Sequence, residues 1–537
     1  PWFWWADVPV RFRKQIIVRD GRYKEGPPSV KYRGIFINDE DWGLHPWSKN
    51  TYSPEDGYIG PKTYKKVFEL LLRLKANHIW PAMHGCTKAF NAFEENRVIA
   101  DEYAIVMGSS HCEQMLRDNP WEWHKWNPSD GSARGKWDWC HNSANIAEYW
   151  ADRVEANAAY ENVYTTGMRG IHDSGMPCSG ASNAQKVQKM EDEIFPAQRQ
   201  MIADWVNPDP TTVPQIFCPY KEVLDLYKMN MQVPDDITLA WPDDNHGYIR
   251  RLSNTAERAR SGRAGVYYHI SYWGAPHDYL WLCSTGPGLI WEEMKKAYDY
   301  GADQVWIFNV GDIKPAEIGM EFALRMAWDI DLYDHTNIQE YLEQWAWRQF
   351  GPEYKEPIAE IMVDYYRLGQ TRKPEHLSSG GAAFTSVYYG DEVQQRIDAY
   401  QAIEGKADAI YQSLPEIYKD SFYQLVLYPV RGASLMNQKI LYANKSIQYA
   451  AQGRVSANDY AAMSQNAYNQ IITETDFYNN TMANGKWKYM MSYNPRGRTV
   501  FNMPATSTVS PVSGSSMGMI LEGQTSEGSY NDSAAFT

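Results

Sequence analysis

The sequence predicts an α/β fold, a (β/α)8 TIM barrel followed by an all-α helical bundle. Three observations carry this expectation. Short apolar runs alternate with helical patterns, and eight strand-then-helix units follow one another before residue 336. Each apolar run stops at polar, often ionisable, groups, as strands do at the C-terminal face of a barrel. Beyond Thr336 the strand signals fade and only helical spacing remains. A doubly wound open sheet is the alternative, but no glycine-rich phosphate loop follows the first strand.

The first strand is Tyr32-Arg33-Gly34-Ile35-Phe36-Ile37, and it ends in Asn38-Asp39-Glu40-Asp41. Adjacent carboxylates at a buried strand end repel each other and lose hydration. A loop chosen only for turning uses Gly, Pro, Asn and Ser instead. The cluster therefore reads as a site, with a solvated loop or helix N-cap as the bland alternative. Pro61 opens a helix through Val67, Leu70, Leu71 and Leu74. The second strand, 78–83, ends at His84. After a helix over 92–103, the third, 105–108, ends in Ser109-Ser110-His111.

A Trp-rich loop over 120–139 and a helix over 145–160 lead to the fourth strand, 163–166, and to Arg169 and Asp173. A helix over 184–205 precedes the fifth, 215–218, with Tyr220-Lys221-Glu222 beyond it. The sixth, 237–241, ends in Pro242-Asp243-Asp244-Asn245-His246, and the seventh, 266–270, lies just before Tyr272. A helix over 289–300 precedes the eighth, 304–308, which ends in Asn309 and Asp312. A last helix covers 316–328.

Four segments result: 1–29, 30–335, 336–505 and 506–537. The first opens on PWFWWADVPV and reads as a linker from a missing N-terminal domain. The second is the barrel. The third is a bundle of helices, where Asn337 and Glu340 suit a capping box and Gly351-Pro352 a stop. Val393, Ile397, Tyr400, Ile403, Ala407, Ile410 and Leu414 form a second stripe, which is core. The last segment, rich in Ser, Gly and Thr, reads as a tail or the start of a missing domain.

Composition narrows the function. A net charge of -14 argues against nucleic acid and anionic membranes. No apolar run is long enough to span a bilayer. The 22 Trp and 38 Tyr supply core, and exposed ones suit the C–H faces of sugar rings. The Cys residues (Cys86, Cys112, Cys140, Cys178, Cys218, Cys283) form no CxxC pair, so structural zinc is not expected and buried free thiols are. Triplets at Asn444, Asn479 and Asn531 permit N-glycosylation in a secreted protein.

The strand ends gather Asp39, Glu40, Asp41, His84, His111, Arg169, Asp173, Glu222, Asp243, Asp244, Asn245, His269, Tyr272, Asn309 and Asp312. Several carboxylates among aromatic residues suit glycoside hydrolysis, which needs one protonated carboxyl and one carboxylate. His and Arg beside them suggest an anionic substrate. Long-range repulsion by an acidic chain then requires a local positive pocket, and the Arg169 fork can bind a carboxylate bidentately. Bland readings stand beside these. Asp173 can cap a helix and pair with Arg169, Asp243-Asp244 can be a solvated turn, and His84 and His246 can be satisfied loop histidines. A cation held by the cluster 39–41 is an alternative, but the donor spacing matches no metal motif. Neither a metal nor a cofactor is expected.

The segments YRGIFINDEDWGL, SSHCE (109–113), MRGIHD (168–173), YKEV (220–223) and WPDDNHGYIR (241–250) resemble glycoside hydrolase family 115, the xylan α-1,2-glucuronidases. The resemblance runs from the opening residues to about Pro504. It implies inverting removal of 4-O-methylglucuronic acid from glucuronoxylan by a secreted enzyme, and it is compatible with a homodimer. It also implies an N-terminal α/β domain and a C-terminal β-sandwich flanking the barrel and bundle. It points to Glu222 as activator of water and Asp173 as proton donor, in either order, with Asp39, Glu40 or Asp41 next. Arg169, His269 and Tyr272 would hold the uronic acid, and His111, Asn245 and Asn309 its hydroxyls, with His84 nearby. The competing functions are another barrel glycosidase, hexosaminidase-like, and an inactive carbohydrate-binding core.

Overall fold

Eight short parallel strands carry the first unit. In the computed structural model, which describes residues 1–510 except 11, 39–40, 276 and 378–383, two compact units form. The first comprises Pro1–Trp5, Arg11–Trp273 and Pro287–Ile338. Its strands are β1 (Tyr32–Ile37), β2 (His78–Trp80), β3 (Val106–Met107), β4 (Tyr164–Thr165), β5 (Gln215–Phe217), β6 (Thr238–Pro242), β7 (Ala264–His269) and β8 (Ala302–Gly311). They form one curled sheet in the order β3-β2-β1-β8-β7-β6-β5-β4. The outer strands meet at a parallel bridge between Met107 and Asn162, where Val163 N–H donates to the Met107 carbonyl at 2.8 Å.

The register follows from side-chain alternation. Phe36, Trp80, Val106, Ile216, Ala240, Tyr267, Val305 and Ile307 all point into one apolar cluster with Val163 beside β4. Gly34 in β1 is dictated by close approach, because an added Cβ would lie 1.7 Å from the His78 carbonyl oxygen. Helices such as Pro61–Arg73, Trp139–Asn157 and Pro287–Asp299 connect the strands, and Glu317–Trp328 follows the last of them. Trp2 and Trp5, in the segment expected as linker, are buried in this unit. The Trp2 indole donates to Glu321 at 2.6 Å and the Trp5 indole to the Lys66 carbonyl at 3.1 Å.

Two local expectations change. The helix expected from Asn145 starts at Trp139, because Asp138 caps it by accepting from Cys140 N–H at 3.1 Å. Asn142 leaves helical geometry (φ -151°, ψ 33°), which hides that first turn from a periodicity search. Cys140 and Cys178, expected as free thiols, form a disulfide with Cα atoms 5.0 Å apart, whereas Cys112 and Cys218 are buried thiols.

The second unit comprises Ala6–Val10, Gly274–Gly286 and Gln339 onward. Its helices include Lys355–Thr371, Glu392–Ser413, Tyr428–Ala451 and Ala457–Asn480, and the Val393 stripe packs on Leu441 and Tyr442. The preceding helix Ile338–Phe350 ends at Gly351, whose φ is 101°. The excursion 274–286 after β7 packs within this unit, where Leu282 N–H donates to Glu375 at 2.9 Å. Of the expected tail, residues 511–537 lie outside the described residues.

Candidate active site

Arg169 anchors the site. It follows β4 and is only 1% exposed. Its Nη1 donates to Asp173 Oδ1 at 2.8 Å and its Nε to Glu222 Oε1 at 2.8 Å, with a second contact from Nη2 to Glu222. Arg169 was expected to grip the substrate's carboxylate, but its fork is occupied by the protein's own two carboxylates. Both of these stay open to solvent, with side chains 35% and 37% exposed. Glu222 opens the helix Glu222–Tyr227. Lys221 before it pairs with the other oxygen of Asp173, a partner that sequence reasoning missed although it adjoins Glu222.

The electrostatics follow. Burial alone raises the pKa of Asp173, but Arg169 and Lys221 outweigh it and hold the carboxyl well below the usual carboxylate range. The same carboxylates keep the Arg169 guanidinium charged against its burial. His111, 4.0 Å from Asp173 Oδ1, is pushed well below the ordinary imidazole value, first by burial and then by Arg169. It is neutral, and its Nδ1 finds no hydrogen-bond partner among the described residues.

A chain of polar contacts runs from here to β6 and β7. The His111 ring lies 4.6 Å from that of Tyr220. Tyr220 O–H donates to Asn245 Oδ1 at 2.6 Å, and Asn245 Nδ2 donates to Tyr272 Oη at 3.1 Å. Tyr272 meets the His269 ring edge-on at 5.0 Å. Behind His269 stands Asp243, whose side chain is fully buried and contacts the ring's Nδ1. Its neighbour Asp244 is part-exposed and serves the turn, accepting from His246 and Tyr248 N–H at 3.0 and 3.2 Å.

Other expected residues lie elsewhere or act differently. The Asn309 amide is used internally, donating to Tyr267 Oη at 3.1 Å and accepting from Gly311 N–H at 3.1 Å. It braces β7 and β8 together, a role that its position at a strand end does not reveal. Asp312 accepts from Leu44 N–H at 2.9 Å and so ties down the loop after β1. Asp41 is half-buried in that loop, while Asp39 and Glu40 lie outside the described residues. His84 sits with His172 and Trp273, ring centroids 5.0 Å away in each case.

The Trp-rich loop supports the site from behind. Trp123, Trp137, Trp139 and Trp150 are buried against one another, so these indoles are core and not sugar platforms. Trp137 Nε1 donates to the Arg169 carbonyl at 2.8 Å. Asp138 accepts from Ser179 N–H at 3.1 Å, beside the Cys140–Cys178 disulfide. Replacing both cysteines by Ser removes a closure of 38 residues and is expected to lower stability by about 2–4 kcal/mol. Activity should fall too, because the freed loop carries Arg169 and Asp173; denaturant titration and rate assays of the double variant check both.

Gly175 contributes by having no side chain. A Cβ there would lie 3.2 Å from Glu222 Cγ, and the backbone is not left-handed, so Ala is tolerated but presses on Glu222. Gly175→Ala is expected to lower kcat about tenfold with an unchanged melting temperature.

The model of glycosyl hydrolase family 115 matches residues 25–376. A solved structure of a family GH115 4-O-methyl-α-glucuronidase with specificity for decorated arabinogalactans is 41% identical, with a TM-score of 0.86. That match covers 95% of this chain, which spans 66% of the other, just under two thirds. A family 89 glycoside hydrolase from Clostridium perfringens, in complex with 2-acetamido-1,2-dideoxynojirmycin, is 9% identical with a TM-score of 0.51. It covers 84% of this chain and 55% of its own length, and shares the fold alone. No protein with a curated description matches. With the match over 25–376 and the 41% identical relative, the chain belongs to glycosyl hydrolase family 115.

Proposed function

We propose that this chain is the core of an inverting α-glucuronidase that removes (4-O-methyl-)glucuronic acid α-1,2-linked to xylose in glucuronoxylan. The observation that carries this is the pair Asp173 and Glu222, both solvent-accessible and both held by the buried Arg169. The Met107–Asn162 bridge supports reading the curled sheet as a (β/α)8 barrel, whose strand ends then form the site.

An ionised carboxylate cannot donate a proton. Arg169 contacts both carboxylates but Lys221 only Asp173, which favours Asp173 as the base that activates water and leaves Glu222 the part of proton donor, the second of the two orders left open by the sequence. Inversion needs room for that water, a carboxyl separation of roughly 6.5–9.5 Å. With the Arg169 fork occupied, His269 and Tyr272, together with Lys221, are the groups that would meet the uronic acid. Burial makes His111 a neutral partner for a hydroxyl. The disulfide supports secretion, since such bonds persist in oxidising compartments. Among the described residues no helix is long and apolar enough to cross a membrane.

The arabinogalactan specificity of the 41% identical relative favours a second reading, the same bond-breaking on glucuronic acid borne by arabinogalactan. Parallel digests of glucuronoxylan, glucuronidated arabinogalactan and an N-acetylhexosaminide, with released acidic and neutral sugars separated by anion exchange, decide among these. Acid from xylan supports the proposal, acid from arabinogalactan alone supports the second reading, and release of only the amino sugar overturns both.

A further inference from the structure

The carboxylate of Asp243 is used on both oxygens. It follows Pro242 at the end of β6, and its side chain is fully buried. Oδ2 accepts from Gly247 N–H at 3.1 Å and from His269 N–H at 3.2 Å. Oδ1 accepts from Asn245 N–H at 3.2 Å and contacts His269 Nδ1. A carboxylate oxygen that already receives backbone N–H groups is an acceptor, so the ring nitrogen facing it must carry the proton.

We propose that Asp243 is a positioning residue for His269: it keeps the proton on Nδ1 and so fixes which ring edge meets the substrate. The same carboxylate holds the backbone of Asn245, whose φ is 68° and whose amide links Tyr220 to Tyr272. One buried group thus sets the imidazole and the adjoining polar chain together. The rings of Tyr267 and Tyr272, 4.5 and 5.0 Å away, keep the imidazole from turning. An amide in place of the carboxylate offers N–H groups where only donors converge, which disfavours the Nδ1-protonated tautomer.

The substrate part of this inference rests on the glucuronidase reading, whereas the tautomer does not. The test uses the full chain labelled with nitrogen-15 histidine, with the His269 signals assigned by their loss in His269→Gln. The expected wild-type result is a ring protonated at Nδ1, and a ring bare at Nδ1 and protonated at Nε2 overturns the proposal. Asp243→Asn is expected to reverse the tautomer and to lower kcat/KM on glucuronoxylo-oligosaccharides about 100-fold. In the His269→Gln background the same substitution should lower kcat/KM less than about threefold, since the two act as a unit. An equal further loss in that background also overturns the proposal. If Asp243→Asn does not fold, the wild-type spectrum alone decides. If the wild type is inert on every glucuronide, the glucuronidase reading fails while the spectrum still tests the tautomer.

Discussion

Glu222→Gln is expected to lower kcat on glucuronoxylo-oligosaccharides by about 10³-fold, with little change in melting temperature. The two readouts separate because of where Glu222 sits. Its side chain is 37% exposed, so its pairing with Arg169 is screened and adds little to stability. Arg169 also keeps Asp173 as a counter-charge when Glu222 is neutralised. Leaving-group dependence then assigns the role. A phenol of low pKa departs without protonation, so an activated aryl glucuronide should recover most of the rate lost in Glu222→Gln. Asp173→Asn should gain nothing from such a substrate, because activation of water is the step it lacks. Recovery in Asp173→Asn instead would return the roles to the first order expected from the sequence.

Arg169→Met is the second large effect. The substitution roughly preserves length but leaves Asp173 and Glu222 facing each other without the group that joins them. We expect kcat/KM to fall by about 10³-fold or more, as both carboxylates lose their positions. Arg169→Lys should rescue little, since one ammonium cannot serve both carboxylates in the geometry of a fork. The acid limb of the pH profile should move up as well. The folded-state pKa of Asp173 is depressed, so its stabilising pairing is fully present above its unfolded value, about 4, and is lost as pH falls below that. Removing Arg169 takes away the main cause of the depression, so Asp173 should protonate at a higher pH in the variant. Rates and chemical denaturation of both proteins from neutral pH downward check the direction.

The architecture was legible because each strand is an apolar run cut off by polar residues. Ile35-Phe36-Ile37 and Val305-Trp306-Ile307-Phe308 declare themselves in this way. β3 and β4 are only two residues long, and alternation with helices located them more than their composition did. At the site, the sequence brought forward Arg169, Asp173 and Glu222, which the fold joins. The pairing of Arg169 with Asp173 stood among the alternatives, but Glu222 on the same fork did not, because that depends on two loops meeting after β4 and β5. Nor could it separate Asp243 from Asp244: neighbours in sequence, one is buried against His269 and the other turns the chain at the surface. Lone Cys140 and Cys178 carried no spacing signal, since the Trp-rich loop must first fold back on the β4 loop. Asn309 looked like a ligand for hydroxyls because it ends a strand, yet its amide is spent on Tyr267 and Gly311.

The most direct measurement is proton NMR of a glucuronoxylan digest, recorded from the first minutes of reaction. Free 4-O-methylglucuronic acid is expected, its first-formed anomer β and relaxing later to the equilibrium mixture, with no such signal from Glu222→Gln. A first-formed α anomer would contradict inversion, and a folded, assembled protein that frees no uronic acid from any glucuronidated polysaccharide would contradict the account itself.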